Sequence, residues 1–594
     1  MKSLAYLNKY LRKYKWHVFW GVIFIIAANI FAVLMPKVVD DAIDLVTDKL
    51  RQAETHDNPT ELFESLWYDA LFLGGLYILY SLIKGLFTFF QRQTIIIMSR
   101  HIEFDLKNEI YDHYQRLSLS FYKRNKTGDI MNRISEDVSK VRMYLGPGIM
   151  YTINLAVLFL TVVPYMLYKN VELTLYVLSP LPVLSVLIYY VSNKINKKSE
   201  RVQRKQSGLS TFVQEAFSGI RVIKAYNREK YQVNAFEDEA ESYKDASVSL
   251  AKTQAFFMPI IMVLIGLSTI LTIYVGGLKV ISGELDYGDI AQFVIYINML
   301  TWPFASVGWI TSIIQRAAAS QERINEFLKE KTEIKNGANA KDFVNGDITF
   351  NNVSFAYPDS GIKALKGVSF TIEKNKITAF TGKIGSGKST IANLIERLYD
   401  TSGGSINING TDIKTLDLEQ LRNAIGYVPQ EVFLFSDSIE NNISFGKTSS
   451  DENTQDDIVQ AAKIADVHNN IMEFKNQYKT LLGERGITLS GGQKQRVSIA
   501  RSVLRKAPIL IFDDCLSAVD TETEEKIMHN MNEVMKERTS VIISHRISSI
   551  KNADKIIVLD EGNIIQEGTH KELIQQHGLY KELYEKQLLA EKLA

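Results

Sequence analysis

Apolar residues gather into long uncharged runs over the first half of the chain and into short stretches over the second. The runs Val18–Met35, Ile149–Tyr168, Leu173–Asn193, Thr253–Leu278 and Ile290–Gln315 are each long enough for a helix to cross a hydrocarbon core of ~30 Å. A further run, Leu66–Gln91, is broken only by Asp69 and Lys84, and with it the pattern predicts six membrane spans. The polar stretches between spans are unequal. Lys169–Glu172 and Ser282–Gly288 are short turns, whereas Arg92–Pro147 and Lys194–Lys252 are long, charged and rich in helix formers. Two helical arms of about 28 residues each would reach on the order of 40 Å. Each long loop therefore reads either as a stalk that carries movement or as a solvated helical hairpin. Their central positions make Phe121–Gly128 and Arg228–Phe236 the expected tips.

Lys2, Lys9, Arg12, Lys13 and Lys15 precede the first span with no acidic residue among them, which puts the N-terminus on the cytoplasmic side. The next loop carries Asp40, Asp41, Asp44, Asp48, Glu54 and Asp57, as an outside loop can, and six spans return the chain to the cytoplasm. The first run is too long for a cleaved signal peptide, and Pro36-Lys37 offers no small-residue cleavage site. Asn29, Lys84, Asn154, Gln292 and Asn298 lie within spans. Such groups either bond to neighbouring helices or face a water-filled path. Pro164, Pro180, Pro182, Pro259 and Pro303 are kink sites that a membrane bundle tolerates.

Past a charged linker at 329–342, which separates a membrane region of 1–328 from a soluble region of 343–594, the pattern changes to strands. Ile348–Tyr357 alternates, with Val353, Phe355 and Tyr357 on one face. Tyr357, well placed ahead of the next motif, reads either as a ring for base stacking or as a packed edge-strand aromatic. Thr381–Thr390 reads TGKIGSGKST, with Gly382, Gly387, Lys388 and Ser389 at the spacing of a phosphate-binding P-loop. The apolar run Ile377–Phe380 precedes it and Ile391–Leu398 reads as a helix after it. Strand, loop and helix N-terminus thus stand in the order that anion binding needs. Gly382, Lys383, Ile384, Gly385, Ser386, Gly387 and Thr390 supply the cradle, whose glycines let backbone N–H groups converge on phosphate oxygens. Lys388 adds a charge for the β/γ-phosphates, and the Ser389 hydroxyl is the expected Mg²⁺ ligand. Further on, Ile509–Phe512 is a short strand ending in Asp513-Asp514, and a carboxylate there is the expected Mg²⁺ partner, a role for Asp513. Between the two, Leu489–Gln493 opens a segment whose Val497, Ala500 and Leu504 repeat at helical spacing, a second anion site or a plain turn.

Composition narrows the classes. At 594 residues the chain is too long for one domain. Its 68 basic and 67 acidic residues leave a net charge of +1, so there is no bulk electrostatic case for nucleic acid. One cysteine, Cys515, rules out an internal disulfide framework and reads as a small buried apolar residue, not a nucleophile.

Leu489–Gln493 (LSGGQ), lying between a P-loop and Asp513, resembles the signature of the ATP-binding cassette (ABC) family, and six preceding spans resemble an ABC exporter half-transporter. The resemblance covers essentially the whole chain. It implies a multidomain fold: an α-helical six-span transmembrane domain with long cytoplasmic stalks, then an α/β P-loop ATP-binding cassette domain. The motifs stand in family order: Tyr357 as adenine-stacking aromatic, the P-loop, Gln430 in VPQ, Gly483–Gly486 (GERG), the signature, Ser517–Asp520 (SAVD) and His545 as switch histidine. Thr127–Arg133 (TGDIMNR) and Gln214–Tyr226 (QEAFSGIRVIKAY) resemble the exporter's cytoplasmic loops.

The resemblance further implies a head-to-tail pair of nucleotide domains. Each ATP, with Mg²⁺, lies between one P-loop and the opposite chain's Ser490, Gly491, Gly492 and Gln493. Gln430 would help coordinate Mg²⁺ and sense the stalk, and His545 would hold the γ-phosphate. One position departs from the family: where such ATPases have a glutamate that polarises the attacking water, this chain has Asp514. In this it resembles the degenerate member of a bacterial heterodimeric multidrug exporter, so the expected partner is a second half-transporter, in a heterodimer before a homodimer. The expected activity is ATP-driven export of an amphipathic drug-like or lipid-like compound across a bacterial-type cytoplasmic membrane. The alternatives are a dedicated lipid or peptide exporter, and an ATP-gated channel or regulatory subunit.

Overall fold

Long apolar runs become long helices in the computed structural model, which describes residues 2–53, 59–336, 340–447, 455–483 and 489–593. Helix α1 spans Lys15–Ala53, α2 Pro59–Arg116, a short α3 Leu119–Arg124, α4 Ile149–Lys169, α5 Pro180–Ser218, a short α6 Ile220–Ala225, α7 Glu229–Ile281 and α8 Tyr287–Lys329. As the run pattern predicts, six helices among the described residues are long and apolar enough to cross a membrane. The 58 residues of α2 and 53 of α7 give rods of roughly 80–85 Å, far beyond a hydrocarbon core, so the charged inner loops are continuations of the spanning helices.

The chain divides into two units, Met1–Tyr114 with Gly128–Lys329, and Gln115–Thr127 with Glu330–Ala594. In the first, Val33 of α1, Val162 and Met166 of α4, and Phe293, Tyr296 and Leu300 of α8 are buried in one cluster. Tyr296 donates its hydroxyl to Val33 O at 2.9 Å, which satisfies the polar end of a fully buried ring. At one end of the same helices Lys169 pairs with Asp289 at 2.7 Å and Asp40 at 3.2 Å. The span amides divide in use. Asn29 and Asn298 bond to carbonyls four residues back in their own helices, while Gln292 is fully buried with neither amide atom partnered among the described residues.

Pro180 interrupts a span: the helix Val171–Leu178 ends just before it, Ser179 keeps helical angles, and α5 starts at the proline within one membrane-long segment, Val171–Ser218. One expectation about this region changes. The second inner tip lies at Gly219–Arg228, ahead of the expected Arg228–Phe236, which falls at the start of α7. Gly219 ends α5 and Asn227 takes a left-handed φ of 51° before α7 resumes. Local breakers set the reversal, and the midpoint of the loop does not.

The second unit holds two sheets. The four-stranded one runs β2 (Lys363–Ile372), β1 (Ile348–Ala356), β4 (Gly403–Ile408), β5 (Thr411–Asp412), all antiparallel. The six-stranded one runs β10 (Asn563–Gly568), β9 (Lys555–Asp560), β3 (Ile377–Gly382), β8 (Thr539–Ile543), β7 (Ile509–Asp513), β6 (Ile425–Val428). Its last five strands in that order are parallel. Every residue of β7 and β8 is buried, as strands covered on both faces require. Helices α9 (Lys388–Ile395), α10 (Gly491–Leu504), α11 (Thr521–Met535), α12 (His570–Gln575) and α13 (Leu579–Leu593) belong to the same unit. So does α3: Leu119 packs on the cluster formed by the four-stranded sheet and α9, and Arg124 pairs with Glu333 at 2.9 Å.

The order β3–β8–β7 positions the site. Ile543 is level with Phe380 on one side and with Asp513 on the other, at strand spacings of about 4.8 Å. The residues after β3, β7 and β8 therefore emerge side by side at the carboxyl edge of a parallel sheet, the edge at which such sheets bind ligands.

Candidate functional site

The loop after β3 is shaped by glycines that no other residue replaces. Gly382 has φ 143°, and a Cβ there would lie 2.0 Å from Leu559 O; Gly387 has φ 99°, and its Cβ would lie 2.3 Å from Ala364 O. These left-handed positions fold the chain tightly onto the start of α9, where the first N–H groups of a helix lack intrahelical partners. Lys388, buried, arches back over the loop and donates to Gly382 O at 3.0 Å, Lys383 O at 2.7 Å and Ser386 Oγ at 3.3 Å. Burial pushes its ammonium down to about 8, against the opposing pull of Asp514 and Asp513.

Next along α9, Ser389 donates to Asp513 Oδ1 at 2.9 Å, and Thr390 shares a 2.9 Å hydrogen bond with the Tyr357 hydroxyl. Burial raises the Asp513 carboxyl, with Ser389 opposing and the Asp514 charge adding to the rise. A hydroxyl and a buried carboxylate thus meet as two hard oxygen donors at one point. This donor chemistry suits Mg²⁺, and Ser389 and Asp513 are the residues that would hold it. Tyr357 stands edge-on to Phe355 and Tyr399 with the Lys123 ammonium of α3 over its ring, 4.8 Å from the centroid.

Asp514 sits at φ 45°, a strained region that aspartate tolerates better than most residues, held by its N–H to Ile543 O at 2.8 Å. His545 is half-buried beside Lys388, Asp514 and the Gly382 backbone; burial first and then the Lys388 charge keep its imidazole below the ordinary value, hence neutral near pH 7.

Not every expected residue joins this cluster. Gln430 is exposed beyond β6 and makes no hydrogen bond to Ser389 or Asp513 among the described residues. Ser490 and Gln493 form a reciprocal cap at the start of α10, Ser490 Oγ accepting from Gln493 N at 3.3 Å and Gln493 Oε1 from Ser490 N at 3.0 Å. Gly491 and Gly492 lie against Ala518, beside the Ser517–Asp520 loop. Of Gly483–Gly486, residues 484–486 lie outside the described residues. Cys515 is buried and its thiol is pushed up by burial, so it packs as a small apolar group. Sequence reasoning missed Tyr427, whose phenol feels the Asp513 carboxylate; its one signal is an aromatic in the strand beside β7.

Against known proteins, the family "ABC transporter transmembrane region" matches residues 18–304 and the family "ABC transporter" residues 365–517. A probable multidrug resistance ABC transporter ATP-binding/permease protein, YheI of Bacillus subtilis (strain 168), is 33% identical over 96% of this chain and 95% of its own length. The chain belongs to the ABC transporter family. The multidrug resistance-like ATP-binding protein MdlA of Escherichia coli (strain K12) is also 33% identical, over 99% of this chain and 97% of its own. The solved structure of a bacterial Atm1-family ABC exporter with ATP bound superimposes with a TM-score of 0.76 at 26% identity, covering 97% of this chain and 99% of that one. This ABC exporter half-transporter is a multi-pass membrane protein that binds ATP and couples its hydrolysis to export.

The depressed Lys388 gives a pH test. A polyanion beside the ammonium favours its charged form, so above about pH 8 ATP binding should take up a proton and weaken by up to about tenfold per pH unit. Below about pH 7 this group is charged either way and contributes no slope. Calorimetry at about pH 9 in two buffers of different ionisation enthalpy reads the uptake directly; zero uptake would count against Lys388 meeting the phosphates.

Proposed function

We propose that this chain, paired head to tail with a second half-transporter, exports an amphipathic drug-like or lipid-like compound across a cytoplasmic membrane by alternating access. The observation that carries the reading is a P-loop cluster, Lys388–Ser389–Asp513, on the same chain as six membrane-long helices. Backbone amides of Gly382–Thr390 and the Lys388 ammonium hold the phosphates of ATP. Ser389 and Asp513, with Gln430, would hold Mg²⁺, which would offset charge on the phosphoryl oxygens. Tyr357 stacks on the base, and His545 meets the γ-phosphate. Ser490–Gln493, capped at a helix start and turned to the Ser517–Asp520 loop, serve the partner's nucleotide. Both termini and the nucleotide domain are cytoplasmic.

Asp514 favours a heterodimer, because an aspartate in both sites would leave the motor without a well-placed base. The multidrug names of the relatives and the scattered amides of the spans support a broad apolar substrate. Uphill, ATP-dependent accumulation of such a compound in inside-out vesicles, lost without ATP, is the expected result; an ATP-gated conductance without accumulation would favour a channel instead.

A further inference from the structure

The switch loop is tied to the last helix of the chain. The short helix Ile547–Ile550 that follows His545 has no capping side chain of its own, since Arg546 occupies the cap position without a capping bond. The missing partner comes from 40 residues away: Gln587 of α13 accepts the Ile547 N–H through Oε1 at 2.8 Å and donates through Nε2 to His545 O at 2.6 Å. Only this orientation of the amide pairs a donor with a carbonyl and an acceptor with an N–H.

Helix α13 is itself anchored. Tyr580 is fully buried, shares a 2.6 Å hydrogen bond with His570 Nδ1 and donates its N–H to Gln566 Oε1 at 3.1 Å. Leu583 and Tyr584 pack on the core of the large sheet. Tyr580, Leu583, Tyr584 and Gln587 follow at i, i+3, i+4 and i+7, one face of a helix. From the other side, Arg546 donates to Ser517 O and Val519 O, each at 3.2 Å, and pairs with the buried Glu524. The backbone that carries the switch histidine is thus gripped between the Ser517–Asp520 loop and the C-terminal helix.

We propose that Gln587 is a positioning residue for His545, and that α13 thereby sets how well the site distinguishes ATP from ADP. This rests on the reading that His545 meets the γ-phosphate. A loosened switch loop withdraws the imidazole from that phosphate while leaving the P-loop, which holds what ATP and ADP share, undisturbed.

The test is made on the assembled transporter in lipid, by competition of ATP and of ADP against photolabelling of this chain with radiolabelled 8-azido-ATP. The readout is the ratio of the two affinities, which stands whether or not Asp514 supports hydrolysis. His545→Ala should cut the preference for ATP about tenfold and Gln587→Met about threefold, with ADP affinity unchanged in both. The double variant should match His545→Ala alone, since a group that acts through another adds nothing once that other is gone. A normal preference in Gln587→Met beside a reduced one in His545→Ala overturns the clamp alone. An equal loss for ATP and ADP, or additive losses in the double variant, overturns it too, as a merely structural effect. A normal preference in His545→Ala overturns the histidine assignment and the inference with it.

Discussion

Lys388→Ala should weaken ATP binding at this chain's P-loop by about 10²-fold, since a hydrogen bond to a charged group is worth up to roughly 3 kcal/mol. The ammonium is already in place, held by two loop carbonyls and the Ser386 hydroxyl. On meeting phosphates it would exchange these acceptors for anionic ones without first shedding a full shell of water. Alanine removes the charge and leaves two buried carbonyls of the P-loop short of a donor, so the loop loses both its charge and an internal brace. Undiminished photolabelling of this chain by 8-azido-ATP in the purified assembled transporter would sink the nucleotide-site assignment.

The second large effect separates two assemblies by its sign. In a heterodimer this chain's P-loop and Asp514 belong to the slow site, and its Ser490–Gln493 complete the partner's fast one. Asp514→Ala should then cost little ATPase, while Ser490→Arg, which breaks the cap and places a bulky cation at the helix start, should cost nearly all of it. In a homodimer both sites depend on Asp514, and alanine there should be crippling. An aspartate is one methylene shorter than a glutamate. Its carboxylate therefore lies roughly 1 Å from where a glutamate would put it, a displacement that costs ~10²-fold when it misplaces a reacting group. Asp514→Glu should accordingly accelerate a homodimer. Purifying the chain alone decides the matter: a stable, active homodimer that loses its activity on Asp514→Ala would refute the two-chain reading.

The two halves differ in how far the sequence can be read. The spans are legible because a membrane accepts little but long uncharged helices, and the P-loop because its glycines, lysine and serine are spaced by one local geometry. What strand order does is not legible. That Phe380, Ile543 and Asp513 stand level across β3, β8 and β7 depends on β3 pairing with β8, a segment more than a hundred residues away, for which no spacing rule exists. The exposed Gln430 illustrates the same limit: a motif places a residue along the chain without saying where its side chain rests. Gln587 is the extreme case, an ordinary amide on a polar helix whose meaning comes entirely from the backbone it meets. The second inner tip was open to a better reading, since Gly219 and Asn227 are breakers visible in the sequence.

Helix α2 contains no proline after its first residue and runs without interruption from before the apolar run Leu66–Gln91 to Arg116. Mechanically it is a lever arm. Treated as a rigid rod of roughly 85 Å pivoting at one end, it turns a tilt of about 5° into a displacement of roughly 7 Å at the other. No hydrogen bond need break for this, so such a tilt would draw only on elastic strain. Gly74 and Gly75 are adjacent glycines in the rod, where a Cβ would meet nothing and glycine frees the backbone to bend; stiffness at that pair would set the gain of such a lever.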